Sequence, residues 1–256
     1  MDAMSEPRVR REPPGTPPIV YLKGIAKYFP GVVANEDVDL DVRAGEIHAL
    51  LGENGAGKST LMNILTGIYK PDAGEIIIDG YARAFASPVE AIAAGIGMVH
   101  QHFKLVKAFT VAENIHLGWS ETPARISPQA LEQRTAALAA SLNLAVRPGA
   151  RIDDLSTGEQ QRVGIARSIV AKPALLIADE PTGNLDPELA LEIMKLFKRF
   201  NEVGVTVVVA THDVHLIEQF GARRIVLGNG RVTDAGERTA ADAGGGEGAA
   251  IEARRP

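Results

Sequence analysis

Three glycines, a lysine and two hydroxyl groups fall together in Gly52-Glu53-Asn54-Gly55-Ala56-Gly57-Lys58-Ser59-Thr60, which fits the spacing G-x-x-x-x-G-K-[ST]. Successive backbone N–H groups of such a loop converge on one anion, and a helix starting there adds the positive end of its dipole. Lys58 supplies a point charge for the outer phosphates, and the Ser59 hydroxyl suits Mg²⁺. The chemistry is the binding of a nucleoside triphosphate, with Gly52, Asn54, Gly55, Gly57, Lys58, Ser59 and Thr60 as its contacts. Asp179-Glu180 ends the apolar run Ala174-Leu175-Leu176-Ile177-Ala178. Ligands of parallel sheets sit at the carboxyl ends of strands, so Asp179 is expected to hold Mg²⁺ through water. Glu180 is expected to polarise the attacking water as general base, a role worth roughly 10²–10⁴ in rate. A second helix start, Leu155-Ser156-Thr157-Gly158-Glu159-Gln160, offers another set of free N–H groups to an anion. One nucleotide cannot easily use both helix ends of a chain if they lie far apart. Two chains facing each other could.

These residues need elements to position them. Ile47-His48-Ala49-Leu50-Leu51 is an apolar run of strand length before the loop, and Leu61 to Leu65 continues it at helical spacing. Val38-Asp39-Leu40-Asp41-Val42 alternates strictly and predicts a strand with one face in water. With Ile19 to Leu22 and Glu75 to Asp79 it predicts a small, mostly antiparallel sheet. Pro88 to Ala94 predicts a short helix and Ile96 to Val99 a strand. From about 104 to 173 the pattern is helical, with Ser127-Pro128 a cap followed by Pro at the first position and Leu131, Leu138 and Leu142 on one face. Asp186-Pro187 opens a further helix, and Val205 to Ala210 is a second buried strand. Runs that are apolar on both faces fit a parallel sheet covered by helices.

At 256 residues the chain can build one large core with a subdomain. A net charge of -5 argues against a strongly basic nucleic-acid surface, and no nucleic-acid partner is expected. The absence of cysteine excludes thiol chemistry and disulfides. No apolar run approaches the roughly 20 residues that cross a bilayer. Residues 1–18, rich in Pro and Arg, and 233–256, rich in Ala, Gly and charge, are expected to be flexible tails around a domain at 19–232.

Taken in order, the motifs resemble the ATP-binding cassette (ABC) ATPases. Gly52 to Thr60 is similar to Walker A, Gln101 to the Q-loop glutamine, and Leu155 to Gln160 to the signature. Leu175 to Glu180 is similar to Walker B, Gly183-Asn184-Leu185-Asp186 to the D-loop, and His212 to the switch histidine. The resemblance implies an α/β fold, a P-loop NTPase core of ABC type with an antiparallel β subdomain and an inserted α-helical subdomain at about 104–173. It implies ATP with Mg²⁺, the metal touched by Ser59, Gln101 and Asp179, and catalytic roles for Glu180, His212 and Gln101. It implies a head-to-tail pair of ATPase subunits, each ATP lying between one Walker A and the facing Ser156, Gly158 and Gln160, with Asp186 beside it. Phe29, with Tyr28 as second choice, is where such proteins stack the adenine. The further partner is an integral membrane permease, which places the chain in the cytoplasm on the inner face of the cell membrane. Thr157 stands where the family most often has Gly, and its Cβ is expected to weaken or alter activity.

Finer resemblances differ along the chain. Residues 19 to about 155, notably Gly97 to Phe103 and Phe109 to Ile115, look like nucleoside or simple-sugar import ATPases. Residues from about 161, notably Ala178 to Asp186, look like cell-division and lipoprotein-release ATPases. The expectation is a mosaic, natural or engineered, joined at about 156–164. Import of nucleosides or simple sugars is the expected function, and a cell-division or lipoprotein-release role the alternative.

Overall fold

The computed structural model describes residues 18–101, 104–183 and 185–235. The expected tails at 1–17 and 236–256, together with His102, Phe103 and Asn184, lie outside the described residues.

Two long strands, β1 (Pro18–Phe29) and β2 (Val32–Arg43), pair antiparallel around a turn at Pro30-Gly31. With β4 (Ala73–Ile78) and β5 (Tyr81–Arg83) they form a four-stranded antiparallel sheet ordered β2-β1-β4-β5. A second sheet is built from β3 (Ile47–Leu51), β6 (Ile96–Val99), β7 (Leu175–Asp179), β8 (Thr206–Thr211), β9 (Arg223–Gly228) and β10 (Arg231–Asp234). Its order is β10-β9-β3-β8-β7-β6, parallel except for β10.

The parallel strands are buried on both faces because their side chains alternate between two cores. Ala49, Leu51, Leu176, Ala178, Val207 and Val209 face one core. Helices α3 (Val111–His116), α5 (Thr157–Ile169) and α6 (Pro187–Glu202) pack into it. Leu50, Leu175, Ile177, Val208 and Ala210 face the other, made with α1 (Lys58–Leu65) and the antiparallel sheet. In α6, Ala190, Ile193, Met194 and Phe197 recur at helical spacing and are buried. Ile193, Met194 and Phe197 each contribute about 1.5–3 kcal/mol when taken from water. The Asp186 carboxylate caps α6 by accepting the Leu189 N–H at 2.9 Å, with Pro187 at the first position.

The remaining helices are α2 (Pro88–Ala93), α4 (Pro128–Ser141) and α7 (Val214–Glu218). Leu142, expected on the apolar face with Leu131 and Leu138, packs with Leu138 against the core and is also the C-cap of α4, its N–H on the Leu138 and Ala140 carbonyls. In the segment read as helical, α5 is shared: Val163, Ile165 and Ala166 enter the sheet's core, and the Ser168 hydroxyl donates to the Met98 carbonyl at 2.6 Å. At the chain's far end, β10 runs to Asp234, past the expected boundary at 233. Ladder pairing of Arg231 with Gly228 and Val232 with Leu227 holds it there, and composition carries no trace of such pairing.

A half-buried ion pair ties the two sheets together. Arg223 of β9 donates to both oxygens of Asp41 in β2, at 2.8 and 2.9 Å. Beside it His48 is fully buried; its Nε2 accepts the Arg43 N–H at 3.0 Å, and its Nδ1 finds no hydrogen-bond partner among the described residues.

Candidate functional site

The phosphate-loop sequence forms the turn between β3 and α1. Gly57 caps α1 with φ 98°, a left-handed backbone, and a Cβ there would collide with the Ala34 carbonyl. The loop is braced from outside: Asn35 Nδ2 donates to the Gly57 carbonyl at 3.3 Å, and the Gly230 N–H to the Ala56 carbonyl at 3.1 Å.

A cavity of about 490 Å³ opens over this loop. Of the residues expected from the sequence, Phe29, Asn54, Gly55, Gly57, Lys58, Ser59, Thr60, Gln101, Glu180 and His212 line it. Gly52 lies behind it, its carbonyl accepting from Lys58 Nζ at 2.7 Å. Nζ also donates to the Glu53 carbonyl at 3.2 Å and lies 3.4 Å from Oε1 of Glu180. Glu180 Oε2 is in turn 3.0 Å from Nδ1 of His212. The two arrive from the ends of neighbouring strands, because the Glu180 N–H donates to the Ala210 carbonyl at 2.8 Å and His212 follows β8. Glu180 has φ 44°, in the left-handed region, which costs a non-glycine residue roughly 1–2 kcal/mol. Backbone strain of this kind clusters where a side chain must be aimed.

Ser59 Oγ donates to Oδ1 of Asp179 at 3.1 Å. Burial pushes the Asp179 carboxyl above the usual carboxylate range, and the neighbouring Glu180 charge adds to this, against the lowering by Ser59 and Lys58. A buried carboxylate with a hydroxyl beside it fits a divalent cation. Among the described residues no cluster of three or more His, Cys, Asp or Glu could hold a metal alone. One carboxylate and one hydroxyl suit Mg²⁺, which keeps water and phosphate oxygens as its other ligands.

Phe29 sits at the mouth, its ring edge-on to Tyr69 at 5.5 Å with Lys27 Nζ 5.6 Å from its centroid. Lys27 is fixed by Asp72 at 2.9 Å, and Asp72 also accepts the Tyr28 N–H at 2.7 Å. Phe29 lines the cavity and Tyr28 does not.

The other helix start forms a separate cavity of about 440 Å³, lined by Ser156, Thr157, Gly158, Arg162, Leu185, Asp186 and Leu189. Gly158 lies close under Leu189, and a Cβ there would press on the end of that side chain. Arg162 pairs with Glu192 at 2.9 Å, joining α5 to α6. The buried Gln161 amide donates to the Pro181 carbonyl at 2.7 Å, joining α5 to the turn after β7. Gln160, expected beside Ser156 as a ligand contact, turns away: its amide donates to the Leu155 carbonyl at 3.1 Å and the Ile152 carbonyl at 3.5 Å. Glu159 is the side chain that bonds to Ser156. Its Oε2 accepts from the Ser156 hydroxyl and N–H, each at 2.9 Å, while its own N–H donates to Ser156 Oγ at 3.4 Å. The signal was present as S-x-x-E, a capping box.

The ABC transporter family profile matches residues 35–183. A ribose import ATP-binding protein of Rubrobacter xylanophilus is 42% identical over 230 residues, covering 89% of this chain and 45% of that protein. A nucleoside import ATP-binding protein of Lactococcus lactis is 42% identical over 217 residues, covering 84% of this chain and 43% of that protein. The chain spans slightly under half the length of these curated relatives. The dimeric structure of MJ0796, a bacterial ABC transporter cassette, superposes with a TM-score of 0.74 at 34% identity, covering 84% of this chain and 97% of that one. The ribose-importer match covers so much of the chain that it crosses residues 156–164, and a mosaic joined there gains no support.

Proposed function

The chain belongs to the ABC transporter family, and from that premise we propose that it is an ATP-hydrolysing subunit that drives the import of a simple sugar or nucleoside through a membrane permease. The observation that carries the catalytic part is the meeting of Lys58, Glu180 and His212 in one cavity beside the Ser59–Asp179 pair. The names of the similar proteins support the import part.

In this scheme the loop N–H groups and Lys58 bind the triphosphate, and Phe29 stacks on the adenine. Ser59 and Asp179 hold Mg²⁺, with Gln101 at the same cavity. Bound Mg²⁺ neutralises charge on the phosphate oxygens. Glu180 orients water and accepts its proton, and His212 holds the carboxylate from the opposite strand and faces the terminal phosphate. Ser156, Thr157 and Gly158 lie in a different cavity from Lys58, so they serve the ATP of a second subunit facing head to tail. No helix among the described residues is long and apolar enough to cross a membrane, and the chain reaches the membrane's cytoplasmic face through its permease.

The test is to purify the tagged chain from gently solubilised membranes and measure ATP turnover of what comes with it. A copurifying integral permease of the sugar or nucleoside import type, with Mg²⁺-dependent turnover, is expected. A soluble partner in its place would overturn the transport assignment, and absence of ATP turnover the catalytic one.

A further inference from the structure

The Ser156 hydroxyl has one proton, and in this structure it goes to Glu159 Oε2 at 2.9 Å. The same oxygen takes the Ser156 N–H at 2.9 Å. Both donors hold the Glu159 carboxyl below the usual carboxylate range. An ionised carboxylate, an acceptor with no proton to give, therefore stands at the start of α5 beside a cavity assigned to another acceptor, a phosphate. Two negative groups at one helix end repel, and a cation held against one of them lessens that repulsion. The other oxygen of Glu159 shows how this is done: Oε1 accepts from Nε of Arg147 at 3.2 Å and lies 3.0 Å from a terminal nitrogen of the same guanidinium. The guanidinium that lines the cavity itself, Arg162, is committed to Glu192 at 2.9 Å. Arg147 reaches Glu159 from the stretch after α4, twelve positions earlier in the chain.

We propose that Arg147 is a positioning residue for the facing ATP: by holding and neutralising Glu159 it frees the Ser156 hydroxyl and the helix end to receive the triphosphate of a second copy of this chain. The inference rests on the head-to-tail arrangement proposed above. Closure over ATP then involves a handover, in which Ser156 turns its proton from Glu159 to the phosphate and Arg147 keeps the carboxylate.

The test is a double-mutant cycle in the full chain carrying Glu180→Gln, with Mg²⁺ and ATP as the probe. ATP-driven pairing is followed by sedimentation and ATP binding to the single chain by fluorescence. Arg147→Ala should raise the ATP concentration for half-maximal pairing about fivefold, the scale of one well-formed exposed ion pair, with single-chain binding unchanged. Arg147→Lys should restore most of the loss. Glu159→Gln keeps a capping side chain without its charge, and in that background Arg147→Ala should have no effect. An equal loss in both backgrounds, or no rescue by Lys, would make Arg147 a mere brace and overturn the inference. A parent chain that binds ATP but never pairs also overturns it while leaving ATP binding intact. One that binds no ATP overturns the functional assignment itself.

Discussion

The Glu180 carboxylate lies 3.0 Å from Nδ1 of His212, across the ends of two parallel strands that are neighbours in the sheet though far apart in sequence. The contact fixes a carboxylate already buried and set on a left-handed backbone. It makes Glu180 an aimed group rather than a solvated one.

Replacing Glu180 by Gln keeps the shape and removes the proposed base. ATP binding should persist while turnover falls by roughly 10²–10⁴. Steady-state phosphate release and nucleotide binding, measured on the same preparation, separate the two effects. Turnover at the parent rate would remove Glu180 from the mechanism. Lys58→Ala should show the opposite pattern, with binding itself lost.

Phe29→Ala should weaken ATP binding about tenfold, since stacking a base on an aromatic side chain contributes roughly 1–3 kcal/mol. Tyr28→Ala should change it far less, because Tyr28 lies outside the cavity. Titration with a fluorescent ATP analogue compares the two, and equal losses would deny Phe29 its platform role.

The second cavity yields a pair of opposite outcomes. Thr157→Gly removes a Cβ from its lining and should raise turnover severalfold. Gly158→Ala adds a Cβ that must push aside the end of Leu189, another residue of the lining, and should lower it. Turnover at saturating ATP checks both. A slower Thr157→Gly chain would mean that the threonine hydroxyl contributes more than its bulk obstructs.

His48 sets a pH dependence of stability. Burial, and the nearby charges of Arg223 and Arg43, lower its pKa from 6.5 to about 4, against the pull of its backbone bond and Asp41. Above about pH 6.5 both folded and unfolded chains hold a neutral ring. Between there and pH 4 the unfolded chain takes up a proton that the folded chain refuses, so about 3 kcal/mol of stability is lost as pH falls. Urea unfolding at pH 7.5 and 4.5 should show this loss in the parent and a smaller one in His48→Gln. Identical pH slopes would exclude His48 as the source.

The strand, loop and helix around Lys58 were legible because each carries its own local signal: an apolar run, fixed glycines, helical spacing. Asp179 and Glu180 were legible for the same reason, at the end of a run apolar on both faces. The three exposed residues of β5, Tyr81 to Arg83, offered no alternation to read, and only pairing with Ile76 to Ile78 makes them a strand. The exchange between Gln160 and Glu159 is a matter of one helical position, about 100° of rotation, which spacing resolves only once the cap is placed. Arg147 left no local signal, because its partner lies across a turn whose path depends on how α4 and α5 each pack on α3.

The buried bond from Gln161 to the Pro181 carbonyl has a kinetic consequence. It fastens the helix that begins at Ser156 to the turn that follows Glu180, so neither shifts without breaking a hydrogen bond whose loss leaves buried groups unsatisfied at about 1–3 kcal/mol. The expectation is that occupancy of one cavity changes ATP binding at the other within a single chain. In a pair of chains this linkage closes into a loop, and turnover should rise with ATP concentration as a sigmoid, with a Hill coefficient above one.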